Sequence, residues 1–362
     1  MKKFIWLSAL IAIVVAVLFG VNSHLENAQK PAGAGATGNK TLNIYNWGDY
    51  IDPSLLKKFE KQTGYKVIYN TFDSNEAMYT KVKQGGTSYD LVVPSDYMVA
   101  KMASEGLLKK LDHSKLNYLN QYGSQFLNLS FDPHNQYSIP YFWGTLGIVY
   151  NDKFIKKGEI KTWNDLWQPK YKNSILAEDS SRDMMAVALA SMGKSVNSTD
   201  MGDLLAAKGK LEALSPNLKG LLTDEIKVYM EQDEAPLAVD YSSNAAMMVA
   251  DNPHLHYIVP SDGGNIWFDN AAIPKTAKNV KGAYAFLNFI MEEKNNKQNT
   301  EWAGGATPNL KAKAALPKSI STDEQWYPND KILSRLEVYD DLGQKWTQIY
   351  SDLYLEFKMY KQ

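Results

Sequence analysis

The sequence predicts an α/β protein of two lobes joined by crossing strands, and three observations carry that reading. Strand-then-helix units recur three times between Leu42 and Gly106. A long β-prone run, Ile139 to Tyr150, holds Gly144 and Gly147 and suits a strand that leaves one lobe and enters another. A second series of alternating strand and helix patterns follows from Ser174. The 322 residues from Thr41 to Gln362 exceed one typical core, which favours two lobes of roughly 150 residues each.

Each element follows from local chemistry. Leu42–Tyr45 alternates as a short strand, and Pro53 opens a helical pattern with Leu55, Leu56 and Phe59 that stops near Gly64. Lys66–Phe72 is rich in β-formers. Asp73-Ser74-Asn75-Glu76 is a capping-box candidate for a helix through Met78 and Val82 that ends at Gly85-Gly86. Tyr89–Pro94 reads as a buried strand, and Ser95 or Asp96 caps a helix whose inner face is Met98, Val99 and Met102. Three such units imply a parallel sheet, with the ligand crevice beyond the carboxyl ends of its strands, where Trp47, Tyr50, Ser95 and Tyr97 fall. In the second lobe, Ser174–Ala177 and Leu237–Asp240 read as strands and Ser181–Met192 and Asn244–Ala250 as helices, with helical stretches after Met201 and near Ile226. Leu255–Pro260 and Asn265–Phe268 are further strands, after which Ala271-Ala272-Ile273-Pro274 crosses back to the first lobe. Gly282–Glu292 is a helix with Tyr284, Phe286, Leu287 and Ile290 inward, and Tyr339–Tyr360 is a closing helical segment. The lobes then take residues 41–144 with 271–305, and 145–270 with 306–362.

Residues 1–40 read as an export segment and a tether. Met1-Lys2-Lys3 precedes an uncharged, mainly apolar stretch from Phe4 to Gly20, a pattern that fits both a removed signal peptide and a retained membrane anchor. Glu26–Lys40 is small and polar and lacks a repeating apolar pattern. With no cysteine there is neither a lipid-bearing thiol nor a disulfide framework, so an exported chain must rely on its core. Residues 1–40 carry four lysines against Glu26, which leaves −4 on the remainder of a chain whose net charge is −1. That balance argues against a nucleic-acid binder and is compatible with a cationic ligand.

Catalytic signatures are missing: there is no Gly-x-Ser-x-Gly elbow, no His-Glu-x-x-His, and a cysteine nucleophile is impossible. Gly193-Lys194-Ser195 imitates the end of a phosphate loop, but Ala188 stands where that loop needs its first glycine. His254 and His256 share a sheet face and read as surface histidines, so no metal and no cofactor is expected. What recurs instead is aromatic rings beside acids where strands end, in Trp47-Gly48-Asp49-Tyr50 and in Trp267-Phe268-Asp269. An ammonium is drawn to a ring face by its quadrupole and to a carboxylate by charge, and both attractions strengthen as water leaves. Ordinary aromatic packing beside a surface acid explains either motif taken alone. Asp183, one turn into a helix opened by Asp179-Ser180-Ser181-Arg182, either serves that helix terminus or projects into the crevice as a counter-charge. Two acids on separate segments facing one aromatic slot suit a ligand with two separated amines.

These segments resemble the extracytoplasmic spermidine/putrescine-binding (PotD-like) proteins of polyamine ABC transporters, which have the type II periplasmic-binding-protein fold. The resemblance spans nearly everything after Thr41 and rests on Tyr45-Asn46-Trp47-Gly48-Asp49-Tyr50, Phe72-Asp73-Ser74-Asn75-Glu76, Tyr89-Asp90-Leu91-Val92-Val93-Pro94-Ser95, Ser138-Ile139-Pro140-Tyr141-Phe142-Trp143-Gly144, Trp267-Phe268-Asp269 and Thr307-Pro308-Asn309-Leu310. It implies a cleft that clamps an extended polyamine, with Trp47, Tyr50, Tyr97 and Trp267 as walls and Asp183 and Asp269 as amine-binding carboxylates. Asp49 and Ser95 would be secondary contacts. Asp179 or Ser180 would take a further acidic position, with Asp179 preferred on charge. Tyr241 stands where relatives can have Trp, Gly305 where they have Tyr and Tyr339 where they can have Gln, so the slot is remodelled at one end.

The leading expectation is a solute-binding protein that closes on spermidine or putrescine and delivers it to membrane permease subunits powered by a cytoplasmic ATPase. It would act outside the cytoplasm as a monomer and do no chemistry on its ligand. It would meet the membrane through the permease or an uncleaved N-terminal segment. A secreted carbohydrate-active hydrolase using Asp183 and Asp269 as a carboxylate pair is the alternative, and an adhesin or sensor on the same scaffold is a third reading.

Overall fold

The computed structural model describes residues 40–361, so the expected export segment and nearly all of the tether lie outside the described residues. The first lobe begins as the sequence predicts. β1 (Thr41–Trp47) leads to α1 (Pro53–Thr63), capped by the Asp52 side chain and stopped by Gly64 at φ +73°. β2 (Lys66–Phe72) leads to α2 (Asn75–Gln84), whose N-cap Ser74 accepts from the Ala77 N–H. β3 is shorter than expected, pairing only over Leu91–Val92, and α3 (Asp96–Ser104) follows. Ser95 is its N-cap by backbone conformation, yet its hydroxyl makes no capping bond because it is used elsewhere.

β4 (Ser138–Asn151) is fourteen residues long and buried throughout. The second lobe holds β5 (Ile175–Glu178), α4 (Ser181–Ser191), α5 (Met201–Leu214), β6 (Leu218–Leu222), α6 (Glu225–Glu231), β7 (Leu237–Tyr241), α7 (Ser242–Asp251) and β8 (Leu255–Ile258). β9 (Gly264–Ala272) runs back, followed by α8 (Val280–Met291), α9 (Glu293–Ala303), α10 (Leu310–Ala315), α11 (Lys318–Ser321), α12 (Asp330–Leu333), β10 (Leu336–Glu337) and α13 (Gly343–Lys361). The closing helix thus starts after Tyr339, which stays in the preceding loop. Gly343, at φ +70°, takes the first helical position.

One sheet serves both lobes, in the order β2-β1-β3-β9-β4-β7-β5-β6, with β8 beside β4 and β10 beside β9. β1 and β3 are parallel, as are β7, β5 and β6, so each lobe has the parallel arrangement that βαβ units impose. The crossing strands β9 and β4 run antiparallel between the two blocks. Separate cores lie on either side. Leu42, Ile44, Leu55, Phe59, Leu91, Phe286 and Leu287 fill the first, and Ile148, Trp163, Ile175, Met184, Leu211, Leu237, Tyr350 and Phe357 fill the second. Phe126, Trp143, Phe268, Ala306 and Tyr327 make a smaller cluster on the crossing strands. The molecule is a two-lobed α/β clamshell of the type II binding-protein kind, with its cleft at the crossing strands.

Candidate functional site

The expected residues gather where parallel strands end and the crossing strand passes. Trp47 closes β1, Ser95 and Tyr97 follow β3, Asp183 lies in the first turn of α4 after β5, and Tyr241 closes β7. Trp267 and Asp269 sit two residues apart on β9, so the pleat turns both to one face while Phe268 turns to the crossing-strand cluster.

Asp269 is buried. Its carboxylate accepts from the Ser95 hydroxyl at 2.6 Å and from the Tyr50 hydroxyl, and Asn75 holds Ser95 through a donor and an acceptor, each at 3.0 Å. Burial pushes the Asp269 carboxyl up to about 6, against the two hydroxyl bonds that favour its ionised form. The Ser95 hydroxyl, donating to Asp269 and accepting from the Asn75 amide, is therefore not available to cap α3. Behind it, buried Asp96 accepts from the Tyr97 and Phe268 backbone N–H groups, and burial pushes it up to about 8.

Asp183 is buried as well and faces two phenols: Tyr241 donates to it at 2.6 Å and Tyr339 at 2.9 Å. Ser180 caps α4 by accepting from the Asp183 N–H at 3.3 Å. Arg182 forms no ion pair with Asp183: its guanidinium is stacked on Tyr339 and Tyr350 and bonded to Asn197. The Tyr241 ring meets Trp267 edge-on at 6.3 Å, which links the two acids through one aromatic surface. Trp267 lies this close to β4 because Gly144 opposes it: a Cβ at residue 144 would strike the indole and the Ser242 hydroxyl. The Nε1 groups of Trp47 and Trp267 are buried without a hydrogen-bond partner among the described residues. Gly305, where the resemblance implies a tyrosine, has its side-chain space filled by the Phe142 ring, 2.7 Å from where a Cβ would be.

Three expected residues are held elsewhere. The Asp179 carboxylate is taken by Tyr354 at 2.9 Å and by Lys358 at 2.7 Å, both on α13. Asp49 is exposed and pairs with Lys227 at 3.2 Å. Tyr97 is turned to Glu76 through its hydroxyl, at 3.0 Å.

Two acids went unnoticed in the sequence. Glu178 ends β5 and Asp240 lies near the end of β7, and the register Ala177↔Val239 sets them side by side. Both are buried. Burial and mutual repulsion raise Glu178 strongly, and burial pushes Asp240 up to about 6. Their signal is an acid at the end of an apolar run, in Ile175-Leu176-Ala177-Glu178 and Leu237-Ala238-Val239-Asp240, without the ring that stands beside Asp269.

A cleft lined by rings and buried carboxyls, between lobes hinged on two strands, defines a binding protein for a small solute. The chain belongs to the family of bacterial extracellular solute-binding proteins, which matches residues 54–329. It is 40% identical to the spermidine/putrescine-binding periplasmic protein of Salmonella typhimurium over 329 residues, covering 90% of this chain and 94% of the relative. Among solved structures it is similar to a Listeria monocytogenes protein assigned to spermidine/putrescine ABC transport, with 53% identity, TM-score 0.85, and coverage of 89% of this chain and 100% of that one. The substrate-binding protein PotD of a spermidine/putrescine ABC transporter from Streptococcus pneumoniae is 50% identical with TM-score 0.82, over 90% of this chain and 100% of its own.

Proposed function

We propose that this protein captures a polyamine, spermidine or putrescine, between its lobes outside the cytoplasm and hands it to an ABC importer. The observation that carries this is the pair Asp183 and Asp269. Each is buried, each accepts from neutral hydroxyls, and neither forms an ion pair among the described residues. A buried carboxylate without a cation is costly, and an ammonium at each acid removes that cost. The methylenes between the amines would lie along Trp267 and Tyr241, with Trp47 and Tyr50 on the first-lobe side.

In this reading Asp183 and Asp269 hold the amines, Tyr50, Ser95 and Tyr339 orient the carboxylates, and Asp49, Tyr97 and Asp179 stand at the rim, engaged by Lys227, Glu76 and Lys358. The lobes are residues 41–144 with 271–305, and 145–270 with 306–362, and they close by bending β4 and β9. Ligand selects the closed state because only there do both lobes touch it. The protein is a monomeric carrier without a catalytic step. It meets the membrane through permease subunits driven by a cytoplasmic ATPase. Calorimetric titration with putrescine, spermidine and spermine tests the reading: saturable binding that disappears in Asp269→Ala supports it, and no heat with any of the three refutes it.

A further inference from the structure

The loop after β1 reaches two places at once. Tyr50 sends its hydroxyl to Asp269 on the crossing strand, while Asp49, one residue earlier and at φ +39°, sends its carboxylate to the Lys227 ammonium. Lys227 lies on α6, whose Ile226 and Met230 are packed into the second lobe with Leu176, Ala238 and Tyr257. The ion pair therefore spans the cleft. It is lopsided: the Lys227 side chain is 15% exposed and that of Asp49 66%.

The same lobe as Lys227 holds Glu178 and Asp240 side by side at the ends of β5 and β7. The Lys227 charge helps to hold Asp240 ionised against its burial. One Asp240 oxygen accepts from the Tyr241 N–H at 2.6 Å and the Asn244 amide at 2.9 Å. The other faces Glu178, whose carboxyl, raised strongly by burial and by Asp240 itself, is the proton-bearing partner of the pair. A lysine side chain is an ammonium on a four-carbon stem, the same chemistry as the aminobutyl arm of a polyamine. One end of the cleft is thus already furnished with such a group, held by the Asp49 carboxylate of the first lobe and close enough to Asp240 of the second for its charge to act there.

We propose that Lys227 is a resident ammonium that determines ligand length: with Asp49 and Asp240 it fills the place a third amine would take. This rests on the polyamine reading above. A diamine spanning Asp183 and Asp269 leaves the Lys227–Asp49 pair intact. A longer ligand reaching past Tyr50 brings a like charge to the largely buried Lys227 side chain and must displace it from Asp49.

The test is calorimetry on the full-length protein with putrescine and spermidine, comparing wild type with Lys227→Met, Lys227→Arg and Asp49→Asn. Removing the charge in Lys227→Met tightens spermidine by about tenfold or more while putrescine changes by less than about threefold. Lys227→Arg, which keeps the charge, retains the wild-type ranking. Asp49→Asn strips Lys227 of its carboxylate and weakens spermidine relative to putrescine. Equal changes for both ligands in Lys227→Met, or no change for either, overturn the proposal while leaving the polyamine reading standing. A wild-type protein that binds neither ligand overturns both, and should Lys227→Met fail to fold, the Lys227→Arg and Asp49→Asn ratios decide.

Discussion

Asp269 and Asp183 resemble each other in sequence, each an acid beside large side chains, but the molecule holds them differently. Asp269 is fixed by the crossing strand, shared between the lobes, and satisfied by one phenol and one serine. Asp183 rides on the first turn of α4, at the positive end of the helix dipole, and is satisfied by two phenols. The neighbourhoods differ too. Asp96, the acid behind Asp269, is pushed to about 8 and so adds little charge at neutral pH, whereas the Glu178–Asp240 pair near Asp183 keeps one negative charge: Glu178 is raised strongly, but Asp240 only to about 6. The hinge end of the cleft therefore depends on a single carboxylate, and the second-lobe end has the one charge of the Glu178–Asp240 pair besides Asp183.

Removing each acid in turn sharpens this contrast most. Asp269→Ala should weaken polyamine binding by about a hundredfold or more, the scale expected when one partner of a buried charge pair is deleted. Asp183→Ala should cost about tenfold, because negative potential persists from its neighbours. Titration calorimetry on the two variants checks this, and equal losses would break the comparison.

Packing behind the rings comes next. Gly144→Ala should destabilise the protein by about 1–3 kcal/mol, as overfilling a packed core does, and shift Trp267 toward the slot. A thermal melt together with a crystal structure of the variant measures both effects. The expectation fails if the melt is unchanged.

Proton binding gives a further handle. Asp269 is raised to about 6, so acid converts the hinge carboxylate to a neutral group and removes its hold on an ammonium. Affinity should fall about tenfold between pH 7.5 and pH 5 in wild type, and less steeply in Asp269→Asn. Stability without ligand should run the other way. A folded-state value above the unfolded one stabilises fully below about 4 and is lost as pH rises through about 6 for Asp269 and about 8 for Asp96. The ligand-free melting temperature should therefore drop between pH 5 and pH 8, and saturating polyamine should flatten that slope.

Much of this architecture was legible because short-range rules decide it. Proline and glycine mark the ends of α1, serine caps α2, and apolar runs mark β4, β5 and β7. The acids of the slot were legible where a ring stood beside them. Glu178 and Asp240 were missed because their partnership depends on strand register, which no local pattern records. The Lys227–Asp49 pair was hidden for a similar reason: it joins residues 178 positions apart through the folded cleft. Gly305 could be seen as a lost ring, but that Phe142 fills its place depends on the shape of β4.

Asp179 offers the smallest effect and a direct check on reading charge from sequence. Charge alone favours it over Ser180 as a further amine-binding group. In the fold its carboxylate is engaged by Tyr354 and by both contacts from Lys358, and the ion pair is about one-third exposed. Water screens such a pair, so losing it should cost no more than about 1 kcal/mol of stability. An acid already neutralised by a lysine has little attraction left for a ligand amine. Asp179→Asn should therefore change polyamine affinity by less than about threefold, whereas Lys358→Met, which frees the carboxylate, should tighten binding slightly. A tenfold loss in Asp179→Asn would mean that Asp179 leaves Lys358 when ligand arrives, and that the second-lobe end of the cleft rearranges more than the hinge end does.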